Sequence, residues 1–188
     1  MNAFAKRMTV CEFVDWASAQ SRGRYELMHG VPVAMSPERA LHRKVKHRVA
    51  VALEQAIAAS GCDCFFEPDG ATVVIDEHQS FEPDALVYYG PELPPDSIIV
   101  PNPIVVVEVT SLSTERIDSG TKLIGYFKVA SVCHYLVVDL VQKAIVHHAR
   151  RQDGRIDTRV VTRGVVRLDP PGISIEVGAN LGSAEGMA

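Results

Sequence analysis

The sequence predicts an α/β fold of the α+β kind, a mixed central β-sheet flanked by helices. Three observations carry this expectation. Residues 36–60 hold one apolar stripe at helical spacing, made of Leu41, Val45, Val49, Ala52, Leu53, Ala56 and Ile57. From residue 62 to 110 the pattern changes to β-branched runs broken by Pro, Gly and Asp. Residues 104–139 then read strand, helix, strand, a unit that builds a parallel strand pair with a helix on its face.

Taken in order, Thr9-Val10-Cys11-Glu12 matches a capping box, in which Thr9 accepts an amide hydrogen bond and Glu12 reaches back. A helix follows to about Gln20, with Val10, Phe13, Val14 and Ala17 inward, and Ser21-Arg22-Gly23 ends it. Residues 24–28 and 31–35 are short β-like runs about His29-Gly30, which predicts a hairpin. Ser36 as cap and Pro37 at the first helical position open the long helix, which stops at Ser60-Gly61. Strands are expected over 62–67, 71–75, 84–89 and 104–110, with a proline-studded loop over 91–103. A second helix spans about 116–130. Residues 133–139 and 144–149 form a hairpin, 155–162 an edge strand after Asp153-Gly154, and 173–177 a last short strand. The tail 178–188 is small and polar and is expected to fray.

A chain of 188 residues with 47% hydrophobic and 22% charged residues is globular and carries a single domain. That domain is assigned to residues 1–188, with its core over about 9–177. A net charge of −4 offers no global basic field, so nucleic-acid binding would have to come from a local patch. No signal-like segment or bilayer-length apolar run is visible, so a cytoplasmic protein without a membrane partner is expected. Cys11 and Cys133 read as small core residues. Cys62 and Cys64 form a C-x-C pair without a Cys/His partner motif, so neither a structural zinc nor a disulfide framework is expected. NTPase, serine-hydrolase and Rossmann readings lack their motifs.

The chemistry concentrates at Glu82-Pro83-Asp84 and in the run Ile104-Val105-Val106-Val107-Glu108-Val109. A carboxylate inside a strand that reads as buried on both faces is costly unless it is neutralised or a cation compensates it. Two such groups on neighbouring strands repel, and a divalent metal reverses that repulsion. Asp84 and Glu108 are therefore the candidate ligands of a Mg2+ or Mn2+ ion, which takes few carboxylates and completes its shell with water and phosphate. The bland alternative makes Asp84 a turn residue and Glu108 an exposed strand position; the absence of polar alternation around Glu108 argues against it.

Lys122 lies on the helix after this strand, where its ammonium can turn back over the strand end, and Tyr126 shares its face. Glu26, between Tyr25 and Leu27, is either a simple exposed residue or a third ligand, or a base acting through water. Arg39, Arg43, Lys46 and His47 recur away from the apolar stripe as a basic strip. Such a strip either neutralises phosphates or is a solvated face. Adjacent His147 and His148 point to opposite faces and read as structural.

Several strings together resemble the Uma-two family of restriction-endonuclease-like proteins, a bacterial group within the PD-(D/E)XK nuclease superfamily. They are residues 24–30, Met35-Ser36-Pro37, His42, Glu82-Pro83-Asp84, Val106-Val107-Glu108-Val109, residues 111–114, Asp118, Lys122, Tyr126 and residues 135–139. The resemblance implies a restriction-endonuclease-like core in which Asp84 and Glu108 are the acids of the two half-motifs. The superfamily's lysine two residues after the Glu is replaced here by Thr110, and Lys122 matches the Uma-two lysine on the next helix. Glu26 matches an acidic position near the start of the core. His29 departs from an acidic residue common in the family's turn.

The leading expectation is a Mg2+-dependent endonuclease hydrolysing DNA, with Glu26, Asp84, Glu108 and Lys122 as its catalytic set, acting as a homodimer. The alternatives are a non-catalytic binding or assembly domain that keeps the nuclease fold, or a metal-dependent hydrolase of a small phosphorylated substrate.

Overall fold

The computed structural model of this protein describes residues 7–110 and 118–178. Helix α1 (Val10–Ser18) starts from a complete capping box: Thr9 accepts from the Glu12 amide and Glu12 from the Thr9 amide. Strands β1 (Tyr25–Met28) and β2 (Val31–Ala34) form the expected hairpin. Its two turn residues both have positive φ, 51° at His29 and 80° at Gly30. Such paired left-handed residues match the strand twist, and His tolerates that region better than most side chains. Pro32 removes an amide donor from the outer strand of the hairpin, which discourages another strand from adding there.

Helix α2 (Ala40–Ser60) is followed by β3 (Phe65–Pro68), β4 (Val73–Asp76), β5 (Gln79–Phe81), β6 (Ala85–Tyr88) and β7 (Pro103–Thr110). Helix α3 (Asp118–Lys128) leads to β8 (His134–Asp139), β9 (Ala144–Arg150), β10 (Ile156–Val161), β11 (Gly164–Leu168) and β12 (Ile173–Val177). The central sheet is six-stranded and mixed, in the order β10-β9-β8-β7-β6-β3. Its β7 and β8 are parallel, joined through α3, and β10 lies at an edge as expected. A second sheet, β2-β1-β5-β4, and the hairpin β11-β12 pack around it.

Strand β7 is buried from Pro103 to Val109. Val105, Val107 and Val109 pack in a core with Val45, Val49 and Leu53 of α2 and with the β11-β12 hairpin. On the opposite face Val106 packs with Tyr126 of α3 and with Phe81, Val73 and Ile75 of the smaller sheet. This is the helix-flanked mixed sheet that the pattern predicts. Among the described residues, no helix is long and apolar enough to cross a membrane.

Four details depart from expectation. Helix α2 begins at Ala40, not Pro37, and its cap Arg39 makes no side-chain capping bond. Residues 35–39 form no regular element: the Met35 amide bonds Arg24 O, prolonging the hairpin, and Arg43 donates to the Glu38 carbonyl at 2.7 Å. Strands β5 and β11 are present in addition to the expected ones. Gln79 and Ser80 are polar yet 2% and 1% exposed, so β5 carries no apolar pattern. In β11 the alternation is present, with Val166 and Leu168 buried. Cys62 and Cys64 are joined by a disulfide across Asp63, a bridge within one turn and not a framework. Cys11 is exposed, not in the core, and Cys133 is half-buried against it. Residues 111–114, the first residues of the helix expected from 116 and the tail beyond 178 lie outside the described residues.

Candidate active site

Glu82-Pro83-Asp84 is the crossing between the two sheets: β5 ends at Phe81 in the smaller one and β6 starts at Ala85 in the larger. The Asp84 amide still bonds Val107 O of β7 at 2.9 Å. Beyond that point β7 runs on without β6, and the Val109 amide finds its partner in Asp84 Oδ2 at 2.6 Å. A side chain thus takes over the ladder where a strand stops, which holds Asp84 beside the end of β7.

Glu108 points to the α3 face of the sheet, 7% exposed. Its Oε1 accepts from Lys122 Nζ at 2.9 Å and from the Tyr126 hydroxyl at 2.6 Å. Lys122 and Tyr126 lie one turn apart on α3 and so reach the same oxygen. Among the described residues, no hydrogen bond reaches Oε2. Lys122 Nζ also meets Glu26 Oε1 at 3.0 Å, and the same Glu26 oxygen accepts from the Glu82 amide at 2.9 Å. Glu26 is 6% exposed, so it is no surface residue. One ammonium therefore joins β1 of the smaller sheet to β7 of the larger.

The electrostatics follow from this burial. Burial pushes the Glu108 carboxyl well above the usual range; Lys122 opposes that, while Asp84 and Glu26 add to it. Burial acts on Lys122 in the other direction, but Glu108 and Glu26 outweigh it and hold the ammonium charged. Tyr126, wholly buried beside Glu108, keeps its proton.

A second group of charges stands beside Asp84. Lys46, placed on the exposed basic strip by its spacing, is instead 6% exposed, with Nζ 2.5 Å from Asp84 Oδ1 and 3.0 Å from Asp69 Oδ2. It also pairs with Glu38. The reason is helical phase: His42, Lys46, Val49 and Leu53 recur at four-, three- and four-residue steps, so Lys46 belongs to the inward stripe. Ligand oxygens of Glu38, Asp69 and Asp84 lie within 4.8 Å of one another. Arg24 bridges Asp69 and Glu82, at 2.7 Å to each. For Asp69, burial is outweighed by Arg24 and Lys46, which hold its carboxyl below the usual range. For Glu82 burial prevails over Arg24 and the carboxyl is raised. His42 Nε2 stands 3.6 Å from Asp84 Oδ2, and that carboxylate raises the imidazole pKa despite partial burial.

Glu26, Asp84, Glu108, Lys122, His42 and Lys46 all line one cleft of about 530 Å3. Its more exposed lining, the mouth, comes from residues 33–39, Leu41, Leu140 and Val141. Arg39 lies at this mouth and Arg43 is also exposed. The sequence singled out Glu26, Asp84, Glu108 and Lys122 for this site, and Lys46 for an outward phosphate-binding strip. It assigned no role to Glu38, Asp69 or Arg24, because each is ordinary in its local context and their convergence spans three separate segments. For Lys46 and His42 a signal existed, namely polar side chains within an apolar helical stripe.

Asp84 and Glu108 offer hard oxygen donors, and His42 Nε2 is a nitrogen donor 3.6 Å from Asp84 Oδ2. With Glu26, Glu38, Asp69 and Glu82 nearby, carboxylates outnumber the permanent cations Arg24, Lys46 and Lys122. That donor set fits an oxygen-seeking divalent cation.

The family described as Uma2, "Putative restriction endonuclease", matches residues 10–181. A crystal structure described as "a putative nuclease belonging to DUF820" from Anabaena variabilis ATCC 29413 shares the fold. Its TM-score is 0.68 at 13% sequence identity, covering 87% of this chain and 90% of that one. No match is found among curated proteins.

Proposed function

The chain belongs to the Uma2 family of restriction-endonuclease-like proteins, and from that premise we propose that it is a Mg2+- or Mn2+-dependent endonuclease hydrolysing DNA phosphodiester bonds. The observation that carries the reading is Glu108. It is a carboxylate buried in the central strand, held through one oxygen by Lys122 and Tyr126, beside Asp84 at the floor of an accessible cleft.

In this reading Asp84 and Glu108 hold the metal. Bound there, it would polarise a phosphate oxygen and lower the pKa of an attacking water. Lys122 supplies fixed positive charge where negative charge grows on the phosphate. Glu26 anchors that ammonium from the opposite sheet, and Tyr126 fixes the rotation of Glu108. Arg39 at the mouth and the exposed Arg43 on the same helix turn take flanking phosphates; Lys46 is withdrawn from that role because its donors face carboxylates. A two-fold dimer would present two such sites to the two antiparallel strands of a duplex. The cytoplasm, where DNA is met, is the compartment that fits.

The cleft volume also suits a small ligand, which keeps a hydrolase of a small phosphorylated compound as the second reading. Plasmid cleavage by wild type and Glu108→Gln, with Mg2+, Mn2+ and EDTA, tests the proposal. Metal-dependent nicking that falls about a hundredfold or more in the variant is expected. Turnover of a small phosphodiester without plasmid cleavage favours the second reading. DNA binding without any cleavage leaves the non-catalytic domain.

A further inference from the structure

Lys46 stands in tension with a metal on Asp84. Both Asp84 oxygens already carry a donor: Oδ2 takes the Val109 amide at 2.6 Å, and Oδ1 takes the Lys46 ammonium at 2.5 Å. An ammonium seated that close to Oδ1 would be in near contact with a dication on the same carboxylate, where like charges repel strongly in a poorly solvated site. Lys46 is 6% exposed, so solvent screens that repulsion little. Yet the ammonium does not depend on Asp84 alone. It also pairs with Glu38 and with Asp69 Oδ2 at 3.0 Å, one partner for each of its three N–H donors. Asp69 is itself held by Arg24 and stays in place. Glu38 lies in the irregular stretch before α2, its side chain 21% exposed at the cleft mouth. If Asp84 is taken from it, the ammonium keeps two carboxylates and is never left unpaired.

We propose that Lys46 is a built-in counter-cation of the site, which neutralises Asp84 when no metal is bound and competes with a divalent cation for that carboxylate, Glu38 and Asp69 retaining the ammonium once Asp84 is given up. The inference rests on the reading of Asp84 as a metal ligand. It assigns Lys46 a regulatory role: the site stays electrostatically satisfied without metal, and metal affinity is set below what the carboxylates alone would give.

Calorimetric titration with MnCl2, alongside thermal melts with and without Mn2+, is the test. Lys46→Met should bind Mn2+ about tenfold or more tightly than wild type, because the competing charge is gone. Its melting temperature should fall without metal, and saturating Mn2+ should raise it by more than it raises wild type. Lys46→Arg, which keeps the charge, should bind Mn2+ no more tightly than wild type. A purely structural clamp on Asp84 predicts the opposite sign, since loosening the ligand weakens metal binding. Wild-type affinity that Lys46→Met leaves unchanged or lowers overturns the inference alone. Absence of Mn2+ binding in every protein overturns the metal reading of Asp84 and this inference with it. Should Lys46→Met not fold without metal, Lys46→Gln removes the charge, retains a donor and yields the same two readings.

Discussion

One ammonium serving two buried carboxylates decides what the loss of Lys122 does. A lysine on a solvated helix face could be removed at little cost, but this one is 9% exposed between Glu26 and Glu108. Lys122→Met should therefore lose about 3–5 kcal/mol of stability, the usual result of stranding a buried charge. Adding Glu108→Gln should recover part of that loss, since it removes the charge left stranded. Denaturant melts of the four proteins of the cycle measure it, and additive losses would show that the pair is uncoupled.

The His134–His147 pair makes a different residue-scale prediction. Their rings share a contact of 2.9 Å between Nδ1 and Nε2 in the core. Burial lowers His147 from 6.5 to about 4, with His134, Arg159 and His148 adding repulsion of the charged form. A base depressed in the folded state gives stability that is complete above its unfolded pKa and lost as pH falls toward the folded one. The melting temperature should thus decline between about pH 6.5 and 4, and His147→Gln should flatten that decline. A wild-type melting temperature unchanged down to pH 4.5 would contradict the buried neutral pair.

At the scale of elements, the site depends on how closely α3 approaches β5. A Cβ on Gly125 would stand 2.5 Å from Phe81 Cε2, and Phe81 is wholly buried against Tyr126 in an edge-to-face contact. Only glycine permits this spacing, and the same spacing brings Lys122 and Tyr126 to Glu108. Gly125→Ala should cost about 1–3 kcal/mol through overpacking. Displacing α3 should also weaken Mn2+ binding, which thermal melts and calorimetry together would detect. The far end of α3 is tied down by Arg150 of β9, which donates to the carbonyls of Phe127 at 2.7 Å and Val129 at 3.1 Å. A cation at the carbonyls of a helix C-terminus complements the helix dipole there. The position of α3 is therefore fixed both at Gly125 and at its C-terminal end.

For the molecule as a whole, a net charge of −4 gives no global basic field, so the proposed duplex contact rests on a local patch, assigned to Arg39 and Arg43. Replacing Arg39 and Arg43 together should flatten the salt dependence of DNA binding by about 0.9 in log–log slope per lost contact. An unchanged slope would return that face to solvent. Light scattering with and without DNA tests the two-fold assembly, and a monomer under both conditions would count against it.

Local chemistry alone made much of this legible. The capping box, the His29-Gly30 turn and the buried run around Glu108 each rest on residues a few positions apart. So does the expectation that Lys122 turns back on Glu108, because a strand followed by a helix leaves little choice of direction. The gathering of Glu38, Asp69 and Lys46 at Asp84, with Arg24 bridging Asp69 and Glu82, was decided by tertiary structure. Those side chains come from the stretch before α2, the turn after β3, the residue preceding β1 and the inward stripe of α2, and no local pattern links them. Their ion pairs exist because the fold brings like charges together in a poorly solvated cleft, where each must find a counter-charge. Sequence periodicity reports which face of an element is buried; it does not report which buried faces will meet.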